Sequence, residues 1–263
     1  MASFSATKVL YIKEKHSIDG QAGEAIAMSH GDIILIRTLT ANCYLVLDDP
    51  PWLVDTNAPK YLRVLEKAIA DQGVDIKRLG CIILTHFHYD HTGNAAELVR
   101  RSGTQVWAPA AEAAIISGEA GMPLPRGPSA TGRLVSRIPR KVLKKYLAFA
   151  PVPVSRELQE GNRLPLLGGL EVLDLPGHTV GGIGLLQRER KLVFTGDIVG
   201  NVRGKPGLPI LAFSEDKGAI LDSMRRLVDL GVDYIFPGHG GVIGPGAAAI
   251  LAEFLAGEET PAD

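Results

Sequence analysis

A cluster of three histidines and one aspartate directly follows an apolar run, and this junction constrains the fold more than any other feature of the chain. The apolar run covers residues 80–84, and its bounding glycine and β-branched side chains predict a buried strand. Because alternate side chains of a strand point to one side, His86 and His88 should face the same way at the strand end. The turn that follows would carry Asp90 and His91.

A helix is expected to begin near Thr92 or Asn94, so four side chains of metal-ligand type crowd one strand-to-helix junction. Imidazoles and carboxylates are the groups with which proteins bind zinc and related ions. Three of the seven histidines of the chain fall within residues 85–94, which argues against a chance grouping of polar loop residues. The junction therefore predicts a metal site, with enough ligands for two ions.

Three later junctions have a similar form, in which a strand-like run precedes a glycine and then a side chain of metal-ligand type. Glycine suits such turns because it permits positive φ and close backbone approach. The side chains concerned are His178, Asp197 and His239. The runs that precede them are residues 170–175, 191–195 and 234–236.

With these motifs the chain resembles the metallo-β-lactamase-fold hydrolases, in particular their glyoxalase II-like, histidine-rich dinuclear branch. The signature His-x-His-x-Asp-His stands at residues 86–91, and the likeness runs from about Ile33 to about Phe254. The resemblance implies an α/β (α+β) fold, a four-layer αββα sandwich with metals at one sheet edge. It also implies a ligand set: His86, His88 and His178 for the first metal, Asp90, His91 and His239 for the second, and Asp197 as the bridge between them.

The ligand types themselves favour zinc, with iron or manganese as competitors. Seven ligands exceed the needs of one four-coordinate ion, so two ions that share Asp197 are the economical solution. Paired ions about 3.5–4 Å apart can hold a bridging water and lower its pKa from about 15.7 towards about 7. We therefore expect a metal-bridging hydroxide as the nucleophile, with Asp90 as a ligand that also accepts or orients a proton.

The composition favours one compact, cytoplasmic domain that covers residues 1–263. The chain carries 46% hydrophobic and 22% charged residues with a net charge of -1, so no basic field favours nucleic acid, and a small-molecule substrate is expected. No stretch approaches the ~20 apolar residues of a membrane span, and the N-terminus lacks signal-peptide features. Cys43 and Cys81 lie in apolar contexts and are expected to be buried thiols.

Strand-like and helix-like patterns alternate along the chain. Apolar alternation and short apolar runs predict strands at residues 33–37, 43–47, 52–55 and 105–108, besides the four runs already described. Apolar residues at helical spacing predict helices at residues 59–72, 110–116, 216–230 and 245–255, with a polar tail from 257 to 263.

Asp55 closes a predicted strand, and it could be a simple turn residue or a group that orients a ligand histidine. The resemblance favours the second reading, because this superfamily often carries an aspartate there. His16 and His30 lie outside any ligand-like junction and are interpreted as ordinary structural or surface histidines. Three threonines lie beside the predicted ligands and could donate supporting hydrogen bonds: Thr85, Thr179 and Thr195.

Residues 119–150 form a basic amphipathic insert that departs most from the superfamily pattern. Six basic residues between 133 and 145 stand against Glu119 as the only acid, and apolar residues recur at helical spacing around Pro139, which should kink or split the helix. The pattern fits a solvated face on a packed helix, a substrate-covering lid or a homodimer contact. A membrane-surface helix is the weaker alternative, because the segment lacks flanking tryptophans.

The predicted function is a zinc-dependent hydrolysis of an ester-type bond in a thioester, a lactone or a carboxylic ester. Acyl-homoserine lactonases usually carry tyrosine three positions after the bridging aspartate, where this chain has Gly200. The alternatives are a β-lactamase, a phosphodiester or RNA-processing nuclease, a mononuclear iron persulfide dioxygenase and a non-catalytic metal-binding module. Specificity in such a fold lies in its loops, so the sequence does not name the substrate.

Overall fold

The computed structural model describes residues 8–13, 24–30, 32–123, 135, 137–202 and 205–259. The chain divides into two compact units. The first comprises Met1–Ala108, Ala113–Ala120 and Ala148–Glu157, and the second comprises Pro109–Glu112, Gly121–Leu147 and Leu158–Asp263. Whether residues 1–263 act as a single domain stays a prediction.

The first unit contains nearly all of an eight-stranded sheet in which the strands follow one another in chain order. Strands β1 to β5 pair antiparallel, whereas β5, β6 and β7 run parallel. The carboxyl ends of β5 and β6 therefore meet at one edge of the sheet. The strands are Lys8–Lys13 (β1), Glu24–His30 (β2), Ile33–Arg37 (β3), Asn42–Val46 (β4), Trp52–Val54 (β5), Cys81–Ile83 (β6), Gln105–Pro109 (β7) and Arg156–Leu158 (β8).

The helices of the first unit follow the predicted pattern with small shifts in their bounds. The predicted helix at 59–72 begins as a 3-10 turn at Pro59–Tyr61, and α1 follows at Leu62–Asp71. Its buried face consists of Val64, Leu65, Ala68 and Ile69, whereas Leu62 is half-buried, so the helix buries apolar residues at helical spacing as predicted. The other helices are α2 at Tyr89–Thr92, α3 at Ala95–Ser102 and α4 at Ala113–Ile116.

Two local predictions around the histidine motif are wrong. β6 ends at Ile83, so His86 and His88 lie after the strand, and the alternation of strand side chains does not determine their directions. The chain leaves the sheet here because the Thr85 backbone N–H donates to a side chain, Asp55 Oδ1, instead of to a neighbouring strand. Asp90 and His91 lie within α2 rather than in a turn before a helix.

The second unit contains a six-stranded mixed sheet in the order β13-β12-β11-β10-β9, with β14 pairing parallel to β12. The pairing of β12 with β14 has register shifts between Phe194 and Gly196 and between Gly196 and Gly200. The strands are Arg163–Leu164 (β9), Leu170–Asp174 (β10), Ile183–Gln187 (β11), Leu192–Val202 (β12), Lys205–Gly207 (β13) and Tyr234–His239 (β14).

Asp197 and His239 lie inside strands, not after them as the sequence predicted. Asp197 belongs to β12, and His239 is the last residue of β14. The register shifts allow the strands to continue through the glycines, because a bulge bends the backbone and re-aims a side chain without ending the pairing. The glycines mark irregularities within strands here instead of their ends.

Two long helices form the core of the second unit together with its sheet. The predicted helix at 216–230 is α6, Lys217–Asp229, which Asp216 caps by accepting from the Ala219 backbone N–H. The helix α7 runs over Ala247–Glu259, further than the predicted 245–255, and the tail after it lies outside the described residues. The core includes Leu173, Leu186, Val193, Ile220, Met224, Leu227, Ile235 and Leu251.

The insert at 119–150 is described only in part. Residues 124–134 and 136, which include the proline-rich entry and part of the basic run, lie outside the described residues. The helix α5 covers Arg140–Leu147 and begins directly after Pro139, so this proline precedes that helix and does not kink it. Leu143 is buried, whereas Ile138 and Val142 are exposed.

The mixed sheets and helices confirm the predicted α/β (α+β) class. Cys43 and Cys81 are free and buried as predicted, and burial raises the pKa of each thiol to about 12. Among the described residues, no helix combines the length and apolar character needed to cross a membrane.

Candidate metal centre

Asp55 is the hub of the candidate ligands in the first unit. It follows β5 with φ 59, and its carboxylate is buried. Oδ1 accepts from the Thr85 backbone N–H at 2.8 Å, and Oδ2 accepts from the Thr85 hydroxyl at 2.8 Å. Oδ2 also lies 2.8 Å from Nδ1 of His91. One carboxylate therefore joins the end of β5, the loop after β6 and the helix α2.

The three histidines of the motif lie together. The ring centroids of His86 and His91 are 4.2 Å apart, and those of His86 and His88 are 4.8 Å apart. Nδ1 of His86 lies 3.0 Å from the Thr85 hydroxyl oxygen. Asp90 stands in the first turn of α2, where burial and this carboxylate raise the pKa of the neighbouring Tyr89. The compact motif concentrates imidazole and carboxylate groups at one sheet edge.

The backbone around His91 is held by two residues that the sequence reading missed. Thr56 donates to the His91 carbonyl through its backbone N–H at 2.7 Å and through its hydroxyl at 2.9 Å. The Asn94 amide donates to the carbonyls of Thr56 at 2.6 Å and Ala58 at 2.9 Å. Both side chains are buried. In the sequence, each is recognisable only as a polar residue near a residue of metal-ligand type. These bonds fix α2 against the segment that follows β5.

The candidate ligand histidines of the second unit lie around Asp197. Its Oδ2 lies 2.9 Å from Nε2 of His239 and 3.3 Å from Nε2 of His178. Asp197 and His178 are buried, and His239 is half-buried. Two imidazole nitrogens therefore converge on one carboxylate oxygen.

Hydrogen bonds and close packing hold the loop that carries His178 against the N-terminal part of α6. Gly177 has φ 127, and an added Cβ would lie 2.4 Å from the Ile220 backbone nitrogen, so only glycine fits there. The Gly177 carbonyl accepts from the backbone N–H groups of Glu215 at 3.0 Å and Asp216 at 2.9 Å. The hydroxyl of Ser223, the seventh residue of α6, donates to the Pro176 carbonyl at 2.8 Å. This fastening fixes the backbone from which the His178 ring projects.

The side chain of His178 has a partner that the sequence reading also missed. Its Nδ1 lies 2.9 Å from the hydroxyl oxygen of Ser214, a buried residue in the loop before α6. Thr195, which was expected to support a ligand, donates instead to the Gly196 carbonyl at 3.2 Å. Ser214 is 36 positions from His178 in the chain, so no local pattern could have indicated the contact.

The donor set in each unit fits a divalent first-row metal. In His86, His91 and His178, Nδ1 contacts an oxygen, so Nε2 is the nitrogen that would bind a metal. Imidazole nitrogens and carboxylate oxygens suit zinc, iron and manganese. The first unit holds four of the predicted ligands, His86, His88, Asp90 and His91, and the second holds three, His178, Asp197 and His239.

Comparisons with known proteins identify the family of this chain and several relatives. Residues 36–239 match the metallo-beta-lactamase superfamily. The hydroxyacylglutathione hydrolase GloC of Haemophilus influenzae is 30% identical over 214 residues, which cover 80% of this chain and 90% of the relative. The acyl-coenzyme A thioesterase MBLAC2 of Gallus gallus is 32% identical over 195 residues, which cover 71% of this chain and 65% of the relative.

A solved structure shares the fold. The crystal structure of TTHA1623 in a di-iron-bound form is 29% identical to this chain, covers 80% of it and 92% of its own length, and superposes with a TM-score of 0.56. The predicted fold class and the predicted family are thereby confirmed. The match of residues 36–239 spans every predicted ligand. The chain belongs to the metallo-β-lactamase superfamily and is a metal-dependent hydrolase.

Proposed function

We propose that the candidate ligands of the two units form one dinuclear centre that hydrolyses an ester-type bond. The observation that carries this proposal is the position of Asp197 Oδ2, which two imidazole nitrogens approach within 3.3 Å. A carboxylate oxygen so placed suits a bridge between two ions. The proposed ligands are those of the family pattern: His86, His88 and His178 for one ion, Asp90, His91 and His239 for the other, and Asp197 for both.

Two ions bound there would supply a water of lowered pKa and polarise the substrate carbonyl. The residues of the chain provide the order that this chemistry needs. Asp55 and Thr85 fix the rings of His91 and His86, and Ser214 fixes the ring of His178. Asp90 would orient the attacking water and accept its proton on a carboxylate oxygen.

A small thioester is the substrate class that the relatives support best. GloC is named a hydroxyacylglutathione hydrolase and MBLAC2 an acyl-coenzyme A thioesterase, and both names describe thioester cleavage. Their shared reaction supports a carbonyl substrate with a sulfur leaving group. Lactones and carboxylic esters remain the second choice, because Gly200 replaces the tyrosine that is usual in acyl-homoserine lactonases. Zinc is the proposed metal, and the di-iron form of TTHA1623 makes iron its main competitor.

The test combines metal analysis with a matched substrate panel. The full chain, purified without added metal and then loaded with zinc or iron, is assayed on an S-acyl glutathione, an acyl-coenzyme A and the oxygen ester of the same acyl group. A lactone, a β-lactam, a phosphodiester and glutathione persulfide complete the panel. We expect two metals per chain and the largest kcat/KM on a thioester. One iron per chain with persulfide consumption would contradict the proposal, and so would turnover confined to the phosphodiester.

A further inference from the structure

The Thr85 hydroxyl has only one proton, and that proton is committed to Asp55. The Thr85 oxygen lies 2.8 Å from Asp55 Oδ2, and a carboxylate oxygen can only accept. The same Thr85 oxygen lies 3.0 Å from Nδ1 of His86. Since the hydroxyl has no second proton, its contact with His86 requires the ring to donate. Nδ1 of His86 therefore carries the proton, and Nε2 keeps its lone pair.

The second unit repeats this arrangement with unrelated residues. The Ser214 hydroxyl donates its one proton to the Ile210 carbonyl at 3.1 Å, since a carbonyl can only accept. Its oxygen lies 2.9 Å from Nδ1 of His178. The ring must again donate, so Nδ1 of His178 carries a proton and leaves Nε2, which lies 3.3 Å from Asp197 Oδ2, as the nitrogen for a metal.

We propose that Thr85 and Ser214 are positioning residues that impose the metal-binding tautomer on His86 and His178 before any metal arrives. The proposal rests on the proposed function in one respect, that His86 and His178 are ligands. It goes further in assigning to each hydroxyl a fixed direction of donation, set by the acceptor behind it. The hydroxyl oxygens of Ser214 and Thr85 can therefore only accept a hydrogen bond from the two rings and cannot donate to them.

The consequence concerns metal affinity. A neutral imidazole without a fixed partner exchanges its proton between the two nitrogens, and in the Nε2–H form the ligating nitrogen is blocked. Partners that fix the tautomer of a ligand histidine typically change metal affinity 10–100-fold. His91 does not depend on a hydroxyl, because Asp55 Oδ2 accepts directly from its Nδ1. Its tautomer serves as an internal reference when Thr85 is changed.

The experiment reads the tautomers directly in the full chain. Long-range ¹H–¹⁵N correlation spectra of ¹⁵N-histidine protein, recorded at neutral pH after chelation and again with zinc, distinguish protonated from unprotonated ring nitrogens. In the parent chain we expect His86, His91 and His178 to be Nδ1–H before zinc is added. The variant Thr85→Val should release His86 alone, and Ser214→Ala should release His178 alone. Zinc affinity, from competition with a chromophoric chelator, should fall about 10–100-fold in each.

Conservative variants separate tautomer control from packing. Thr85→Ser and Ser214→Thr keep the hydroxyl, so both should restore the parental ring spectra and most of the zinc affinity. Thr92→Val is the matched control, because Thr92 is also buried and its hydroxyl donates to the His88 carbonyl and not to a ring. It should leave the tautomers of His86 and His178 unchanged.

Two outcomes would overturn the proposal. The first is an unprotonated Nδ1 of His86 or His178 in the chelated parent chain, a measurement that needs no variant to fold. The second is an unchanged ring spectrum in both Thr85→Val and Ser214→Ala. Neither outcome depends on turnover, so a chain inactive on every thioester would refute the proposed function and leave the tautomer assignment standing.

Discussion

Nδ1 of His91 lies 2.8 Å from Oδ2 of Asp55, and both side chains are buried. The bond spans 36 positions of the chain and joins the end of β5 to helix α2. A buried carboxylate is costly unless donors surround it, and here three donors reach its two oxygens. The pair therefore stabilises the fold as well as a candidate metal ligand, and the two roles can be separated by experiment.

The variant Asp55→Asn should destabilise the metal-free chain by about 1–3 kcal/mol, because a buried donor group loses its acceptor. Asparagine tolerates positive φ, so the backbone at φ 59 stays unstrained. Zinc content should fall as well, since the His91 ring loses its carboxylate. Urea denaturation after chelation gives the first quantity and elemental analysis the second.

The control for Asp55→Asn is Asp75→Asn. Asp75 caps a 3-10 turn, and its exposed side chain accepts from the Lys77 backbone N–H, a role that asparagine also fills. This control should change neither stability nor metal content measurably. Equal effects of the two substitutions would remove the special role of Asp55.

Metal analysis of Asp197→Ala tests the bridging carboxylate. We expect the parent chain to hold two divalent ions, and we expect the variant to lose at least one of them together with turnover. The reason is that Oδ2 faces the Nε2 atoms of both His178 and His239. The control is Asp222→Ala, which removes the exposed carboxylate of another aspartate of the second unit. This variant should keep both ions. A variant that retains both ions and its activity would contradict the proposed bridge.

The histidines should fall into two classes on substitution by alanine. The five expected to lose metal and activity severely are His86, His88, His91, His178 and His239. His16→Ala and His30→Ala should leave both nearly unchanged, because neither belongs to a ligand junction. His16 lies outside the described residues, and His30 ends β2. If His30→Ala cost as much as His178→Ala, the assignment of the N-terminal segment would be wrong.

The candidate metal ligands could be proposed from the sequence because residues of metal-ligand type cluster within short segments. The spacing of His86, His88, Asp90 and His91 is short enough to read in one decapeptide. The helix α6 was equally readable, because Ile220, Met224 and Leu227 follow one helical face and all three are buried. Local periodicity and local motifs are determined by neighbouring residues, and the sequence displays them directly.

The partners of the ligands were less readable because they are distant in the chain. Ser214 is 36 positions from His178, and Asn94 is 38 positions from Thr56. Strand ends were misjudged for a related reason, since Asp197 stays within β12 only because β14 pairs alongside it with shifted register. Long-range pairing decides such features, and no single segment contains the information.

The ion pair between Glu160 and Arg226 should make the second unit sensitive to acid. The hydrogen bond from Arg226 lowers the pKa of the Glu160 carboxyl. The pair therefore stabilises the fold at pH values above the unfolded-state pKa of about 4.3. That contribution is lost as the pH falls through the lower folded-state pKa. Arg226→Ala should therefore lose about 1 kcal/mol or less at pH 6, since both side chains are more than a third exposed.

The measurement is urea denaturation of the chelated chain at pH 6 and at pH 3. The gap in unfolding free energy between Arg226→Ala and the parent should narrow at pH 3. Burial raises the pKa of the nearby Asp174 and acts in the opposite sense, so only the difference from the parent is informative. Arg225→Ala is the matched control, because Arg225 lies on the same helix and pairs with the exposed Asp222 instead of Glu160. A gap that widens at pH 3 would contradict the assignment.

Two adjacent side chains of α5 can distinguish whether the insert at 119–150 is a lid or a packing element. Leu143 is 7% exposed and Val142 is 43% exposed. Leu143→Ala should cost about 2–4 kcal/mol of stability, because a buried leucine leaves a cavity, and should leave the ratios of kcat/KM between substrates unchanged. Val142→Ala should cost little stability. If α5 is a lid, Val142→Ala and Ile138→Ala shift those ratios at constant metal content, since remote contacts separate one ester from another.

The predicted basic character of the insert gives the second arm of this test. Reversing Arg137 and Lys141 to glutamate should matter little for a neutral thioester and more for an anionic carrier such as coenzyme A. Arg63 and Lys67, reversed likewise in the first unit, control for the change of net charge. If the exposed apolar changes alter all substrates equally, or reduce only thermal stability, α5 is structural or a dimer contact. Specificity should then be sought in residues 199–213, where Ile210 is 66% exposed.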